Sequence, residues 1–89
     1  MNAIVSIVGK DRVGIIARIS NEMANANANI IDISQTTRRG IFTMMMFVDV
    51  ENITVAFDEL VRRTEQAGKD LGVEIKMHRE EIFDAMHRI

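Results

Sequence analysis

The chain contains no cysteine, no proline, no tryptophan and no tyrosine among its 89 residues. Without cysteine there is neither a disulfide framework nor a thiolate metal site. Without proline every turn must be made by glycine, asparagine or aspartate. Aromatic side chains amount to 4%, four phenylalanines, which leaves little for base-stacking platforms. The charge balance is a formal −2, so a strongly basic nucleic-acid surface is not indicated. No apolar run approaches the ~20 residues a membrane-crossing helix needs. The N-terminus enters a strand-like segment directly, with no basic region or small-residue cleavage site. These features lead us to expect a soluble, cytoplasmic protein with no membrane partner.

What is present is the composition of a globular chain, 47% hydrophobic and 27% charged. The length suits one domain spanning residues 1–89. A chain of this size removes only ~60–65% of its unfolded surface from water, so its core is moderately stabilising on its own. The segment from Ala3 to Val8 is short and β-branched and stops at Gly9, which predicts a buried strand. The loop Gly9-Lys10-Asp11-Arg12-Val13-Gly14 follows. Ile15, Ile16, Ile19, Met23 and Ala26 then recur at helical spacing, predicting an amphipathic helix of about three turns. Asn27 is its expected left-handed cap.

Ile30 to Thr37 and Ile41 to Val50 predict a hairpin closed at Arg38-Arg39-Gly40. The second of these strands is apolar at odd and even positions alike, including Met44, Met45 and Met46, so neither of its faces suits water. The C-terminal helix, from this copy or a partner, is the expected cover for the face the other helices leave open. A second helix is predicted from about Thr54 to Leu71, with Phe57, Leu60, Val61, Thr64 and Leu71 inward, Asn52 or Thr54 as N-cap and Gly72 as its end. Val73, Ile75 and Met77 alternate with Glu74, Lys76 and His78 as a half-exposed strand. Glu80 to Ile89 predicts a short third helix with Ile82, Phe83, Met86 and Ile89 on one face. The order βαββαβ predicts an α+β, ferredoxin-like fold: a four-stranded antiparallel sheet with two helices on one face, plus a short C-terminal helix.

The fold hosts many activities and names none by itself. RNA recognition on this arrangement needs aromatic rings on the open face of the two central strands. The first strand has none, the hairpin strand offers Phe42 and Phe47 inside a methionine run, and Arg38-Arg39 reads as a solvated turn. No catalytic residues are assigned, since no serine lies beside a plausible base. His78 and His87 lie nine residues apart, and Asp84 with His87 supplies too few ligands for a metal. No cofactor is expected. Gly14, at the head of a helix, offers backbone N–H groups and the positive dipole end to an anion. As a glycine it also lets a ligand approach the backbone. Asp11 suits either a ligand ammonium or a helix cap, with the cap favoured slightly. Asp32 faces either an open surface or an interface.

The residues Val8-Gly9-Lys10-Asp11-Arg12-Val13-Gly14-Ile15 resemble the G-x-D-x-P-G-I/L signature that opens ACT domains, regulatory modules of amino-acid metabolism. Ala24-Asn25-Ala26-Asn27-Ala28-Asn29-Ile30 is similar to that family's A-x-x-G-x-N-I junction, and Asp32-Ile33-Ser34-Gln35 continues the similarity. Val13 stands where the family usually has proline, and Asn27 where it has glycine. The resemblance is nearest to small stand-alone ACT proteins that end in a short helix. It implies a homodimeric, non-enzymatic sensor binding an amino acid or similar small molecule between subunits. The implied ligand-binding residues are Asp11, Arg12, Val13, Gly14 and Ile15 of one chain, with Asn29, Ile30 and Asp32 at the facing strand. The alternative is a ligand-free dimeric interaction module docking on an enzyme or transcription complex.

Overall fold

A computed structural model describes residues 1–10 and 13–86. The elements run β1 (Asn2–Lys10), α1 (Ile15–Asn25), β2 (Asn29–Arg38), β3 (Ile41–Asp49), α2 (Phe57–Leu71), β4 (Glu74–Arg79) and α3 (Glu80–Met86). The sheet order is β2-β3-β1-β4, and β1–β3, β1–β4 and β2–β3 all pair antiparallel. This is the expected ferredoxin-like βαββαβ arrangement with its extra helix.

Strand alternation sorts the apolar residues. Val5 pairs with Met46 and Ile7 with Met44, and all four side chains lie in the core beneath α1 and α2. Ile19 and Met23 of α1 and Leu60 and Ala67 of α2 close that core from the helix side. Thr64 is buried there with its hydroxyl donating to the Leu60 carbonyl at 2.7 Å, which removes the cost of an unmet polar group. The other sheet face carries Ile4, Ser6, Val8, Thr43, Met45 and Phe47. The methionine run is thus split: Met44 and Met46 are fully buried, whereas Met45 is half-buried on the far face. α3 rests on β1 and β4 of its own chain. It accounts for Ile4, a far-face residue only 2% exposed that stands outside the main core.

The ends of the elements follow local chemistry. Asn27 takes φ 60, just past α1, and Gly72 takes φ 74 after α2. Arg39 and Gly40, at φ 54 and 80, make the two-residue turn whose twist suits a hairpin. A register shift between Ile30 and Asp32 puts Ile31 in a bulge, so that both Ile30 and Ile33 point toward the helix side.

Four expectations need correction. β1 continues through Gly9 to Lys10, because Gly9 pairs with Phe42 and lies so close to β4's approach that an added Cβ would stand 2.7 Å from Val73 Cγ1. Gly9 therefore serves a close backbone approach and not a turn. α2 starts at Phe57 with Ala56 as N-cap, and neither Asn52 nor Thr54 caps it. Instead the Thr54 N–H donates to the Ala26 carbonyl at 2.9 Å, and Asn27 Nδ2 donates to the Asn52 carbonyl at 2.9 Å. Those bonds tie the loop to the end of α1 before the helix can begin. Ile16 is 41% exposed and faces outward. Phe57, Val61 and Leu71 only flank the core, and its α2 side is completed by Ala67 and Gly68, which helical spacing did not single out.

Candidate functional site

Gly14 adopts φ 93, ψ −1 as the N-cap of α1. Among the described residues no atom lies within 4 Å of the position a Cβ would take there. A glycine has no side chain with which to cap the helix, and α1 has no acidic residue in its first turn. Its leading N–H groups and positive end are therefore not neutralised from within that turn. Arg18 N–H, one turn on, donates to the Gly14 carbonyl at 2.9 Å, so the donors left without an intrahelical acceptor are those before it. Val13 is fully exposed, Ile15 is buried and anchors the turn to the core, and Ile16 adds an exposed apolar flank. Asp11 and Arg12 lie outside the described residues.

Asn29 and Ile30 open β2 at the other end of the sheet: Asn29 pairs with Asp49, which pairs in turn with Asn2. Gly14 follows the opposite end, where Lys10, Ile41 and Arg38 lie abreast. The 11 residues of α1 put about 16 Å between these ends. Asn29 is exposed, Ile30 half-buried against the core, and Asp32 exposed on the far face, accepting the Ile33 N–H at 2.9 Å. A single chain therefore brings Val13, Gly14 and Ile15 together but leaves Asn29, Ile30 and Asp32 apart from them.

β2 is an edge strand of ten residues, exposed at every position except Ile30. A long edge presents a row of unpaired N–H and C=O groups, which templates pairing with another chain.

Surface ion pairs join charges on α1 and α2. The Asp70 carboxyl is held below its ordinary range by a hydrogen bond from Gln66 and then by Arg18, which donates to it at 3.0 Å. Glu59 is held low by the Arg62 guanidinium, with which it forms a close ion pair. Among the described residues no three His, Asp or Glu side chains gather as a metal group. The Asp84–His87 pair cannot be placed, because His87 is outside the described residues.

A concavity of about 510 Å³ lies at the hairpin end of the sheet and is lined by Thr36, Arg38, Arg39, Ile41 and Thr43. Reading Arg38-Arg39 as a solvated turn missed it. The signal was available: a two-residue turn at Arg39-Gly40 places Thr36 opposite Thr43 and Arg38 opposite Ile41, all on one face.

Comparison with known proteins gives a consistent result. The family model described as ACT domain matches residues 2–78. A UPF0237 protein of Listeria monocytogenes is 49% identical over 89 residues, covering all of both chains. A UPF0237 protein of Methanocaldococcus jannaschii is 49% identical over 86 residues, covering 97% of this chain and 96% of its own. Among solved structures, an ACT domain protein from Streptococcus pneumoniae superposes with a TM-score of 0.79 at 40% identity, covering 98% of each chain.

Proposed function

The chain belongs to the ACT domain family, and from that premise we propose that residues 1–89 act as one regulatory domain binding an amino acid between two copies. The observation that carries this reading is Gly14, with its left-handed backbone, its open surroundings among the described residues and no side chain of its own to cap the helix. A ligand carboxylate would meet the N–H groups of Val13, Gly14 and Ile15, a favoured place for an anion. Asp11 of one chain or Asn29 of the other would receive the ammonium, with Arg12 and Ile30 lining the rest. Asp32, also read as a ligand residue, lies on the sheet's far face and would reach only the rim.

The separation of Asn29 from Gly14 within one chain supports a shared site. Two copies related by a two-fold axis pair identical edge strands antiparallel. Such pairing through β2 carries the partner's Asn29 end toward this chain's Arg38 end, where α1 begins. A ligand held by both copies favours the dimer over separate chains, and that linkage is the signal.

The test combines thermal melting with sedimentation, using each of the twenty amino acids. The expected result is a rise in melting temperature for one or a few of them, with a larger dimer fraction in the same samples. A flat response across the whole panel, with the dimer unchanged, would sink the amino-acid reading and favour a ligand-free docking module.

A further inference from the structure

We propose that the hairpin-end concavity on the sheet's far face is a second binding site, for a small phosphate-bearing molecule. It does not depend on the Gly14 reading, since Thr36, Arg38, Ile41 and Thr43 face away from α1 and α2.

The register builds the site. On this face Lys10, Ile41 and Arg38 stand side by side on three neighbouring strands, and Arg39 follows in the turn. Lys10 and Arg38 are two strand spacings apart, about 10 Å, so an anion over Ile41 lies between them. Among the described residues neither arginine is held in an ion pair, in contrast to Arg18, Arg62 and Arg63 on the helices. The next row is Val8, Thr43 and Thr36, which adds two hydroxyls. The described acids nearest by register are Asp32, four residues along β2 from Thr36 and about 13 Å away, and Glu74, opposite Val8 on the Lys10 side. The Arg38 and Arg39 end of the corner therefore has no close carboxylate among the described residues. A chain of net charge −2 thus gathers three cations in one corner.

The chemistry of these groups selects the ligand. Guanidinium forks match phosphate oxygens two at a time, and threonine hydroxyls donate to the remaining ones. Two arginines and a lysine suit a dianion, whereas a single carboxylate leaves most of that charge unmet. Ile41, half exposed at 50%, gives an apolar floor for the organic part of a phosphomonoester. The volume, about 510 Å³, falls within the roughly 300–1,000 Å³ of small-molecule sites. A nucleic acid fits less well, because no aromatic ring lines the concavity and the chain is net acidic.

The experiment is an amide-resolved NMR titration of the full chain with pyrophosphate and AMP, and with citrate, adenosine and a thymidine oligonucleotide for comparison. Expected are saturable shifts confined to Thr36 through Thr43 and Lys10 with the two phosphate compounds. Adenosine should give none, and citrate should bind at least tenfold more weakly. R38Q/R39N should lower phosphate affinity tenfold or more while melting like the parent, since asparagine tolerates the φ 54 of position 39. Should that variant fail to fold, T43V alone should weaken binding about threefold without touching charge. The proposal is overturned by shifts centred on Val13–Ile15, by equal citrate binding, by undiminished affinity in the variants, or by absence of saturable binding. Tighter binding of the oligonucleotide than of AMP would also overturn it, and would assign the corner to nucleic acid.

Discussion

Replacing Gly14 by alanine separates two roles that a glycine can play in one position. The backbone at Gly14 is left-handed, and a Cβ there meets nothing within 4 Å among the described residues, so the substitution is strained but not crowded by them. Gly40 presents the same combination, φ 80 with open surroundings, at the hairpin turn. Left-handed backbone costs a residue with a side chain about 1–2 kcal/mol, so both variants should lose that much stability. For a domain of this size each kcal/mol moves the melting midpoint about 4–8 °C, which predicts a fall of roughly 4–16 °C in each. The two should differ in response to ligand. At a hundredfold excess over Kd a bound effector contributes about 2.7 kcal/mol, a shift that the parent and Gly40→Ala should both show. Gly14→Ala places a methyl group where the carboxylate must approach, so its shift should vanish. Thermal melting of the three proteins, with and without the stabilising amino acid, reads all of this. A full ligand shift in Gly14→Ala would refute the backbone-approach argument, and an unchanged midpoint without ligand would refute the strain argument.

Two further outcomes test the fold and its charges. Gly68→Ala should destabilise by about 1 kcal/mol in urea unfolding: overpacking of about 1–3 kcal/mol outweighs a helix-propensity gain of up to about 1. The added Cβ would stand 2.7 Å from Ile75 Cγ1 and 3.0 Å from the Val73 carbonyl, and a stabilised variant would mean that β4 yields more readily than this packing allows. Asp70 binds its proton less readily when folded, so its bonds with Gln66 and Arg18 favour folding above its ordinary pKa of 3.8 and fade as pH falls through the lower folded value. Asp70→Asn should therefore be less stable than the parent near neutral pH, with the gap closing in acid below pH 3.8; stability curves that stay parallel across that range would remove the linkage.

Much of this architecture is local and so was legible in the residues themselves. Asn27 and Gly72 end helices because they accept left-handed backbone, and both were readable without any partner. The Val73, Ile75, Met77 alternation specified β4, and the turn at Arg38-Arg39-Gly40 specified the hairpin. Gly14 too could be marked as a helix start open to anions, because that property belongs to the backbone and its immediate neighbours. Other features depend on contacts between distant segments. Gly9 looked like a turn residue, yet its lack of a side chain serves Val73, more than sixty positions away. Thr54 looked like a cap, yet its N–H is claimed by Ala26.

Which methionines enter the core was likewise undecidable from a run apolar on both faces; pairing of Met44 and Met46 with Ile7 and Val5 decided it. The sequence by itself therefore determined the elements, the left-handed residues that end α1 and α2, and the character of the Gly14 turn, all of which arise within a few residues. Only the tertiary structure decided that Gly14 and Asn29 sit at opposite ends of one sheet, and that Lys10, Arg38 and Arg39 share a corner. Strand register controls both, since a shift of one position would turn every side chain to the other face.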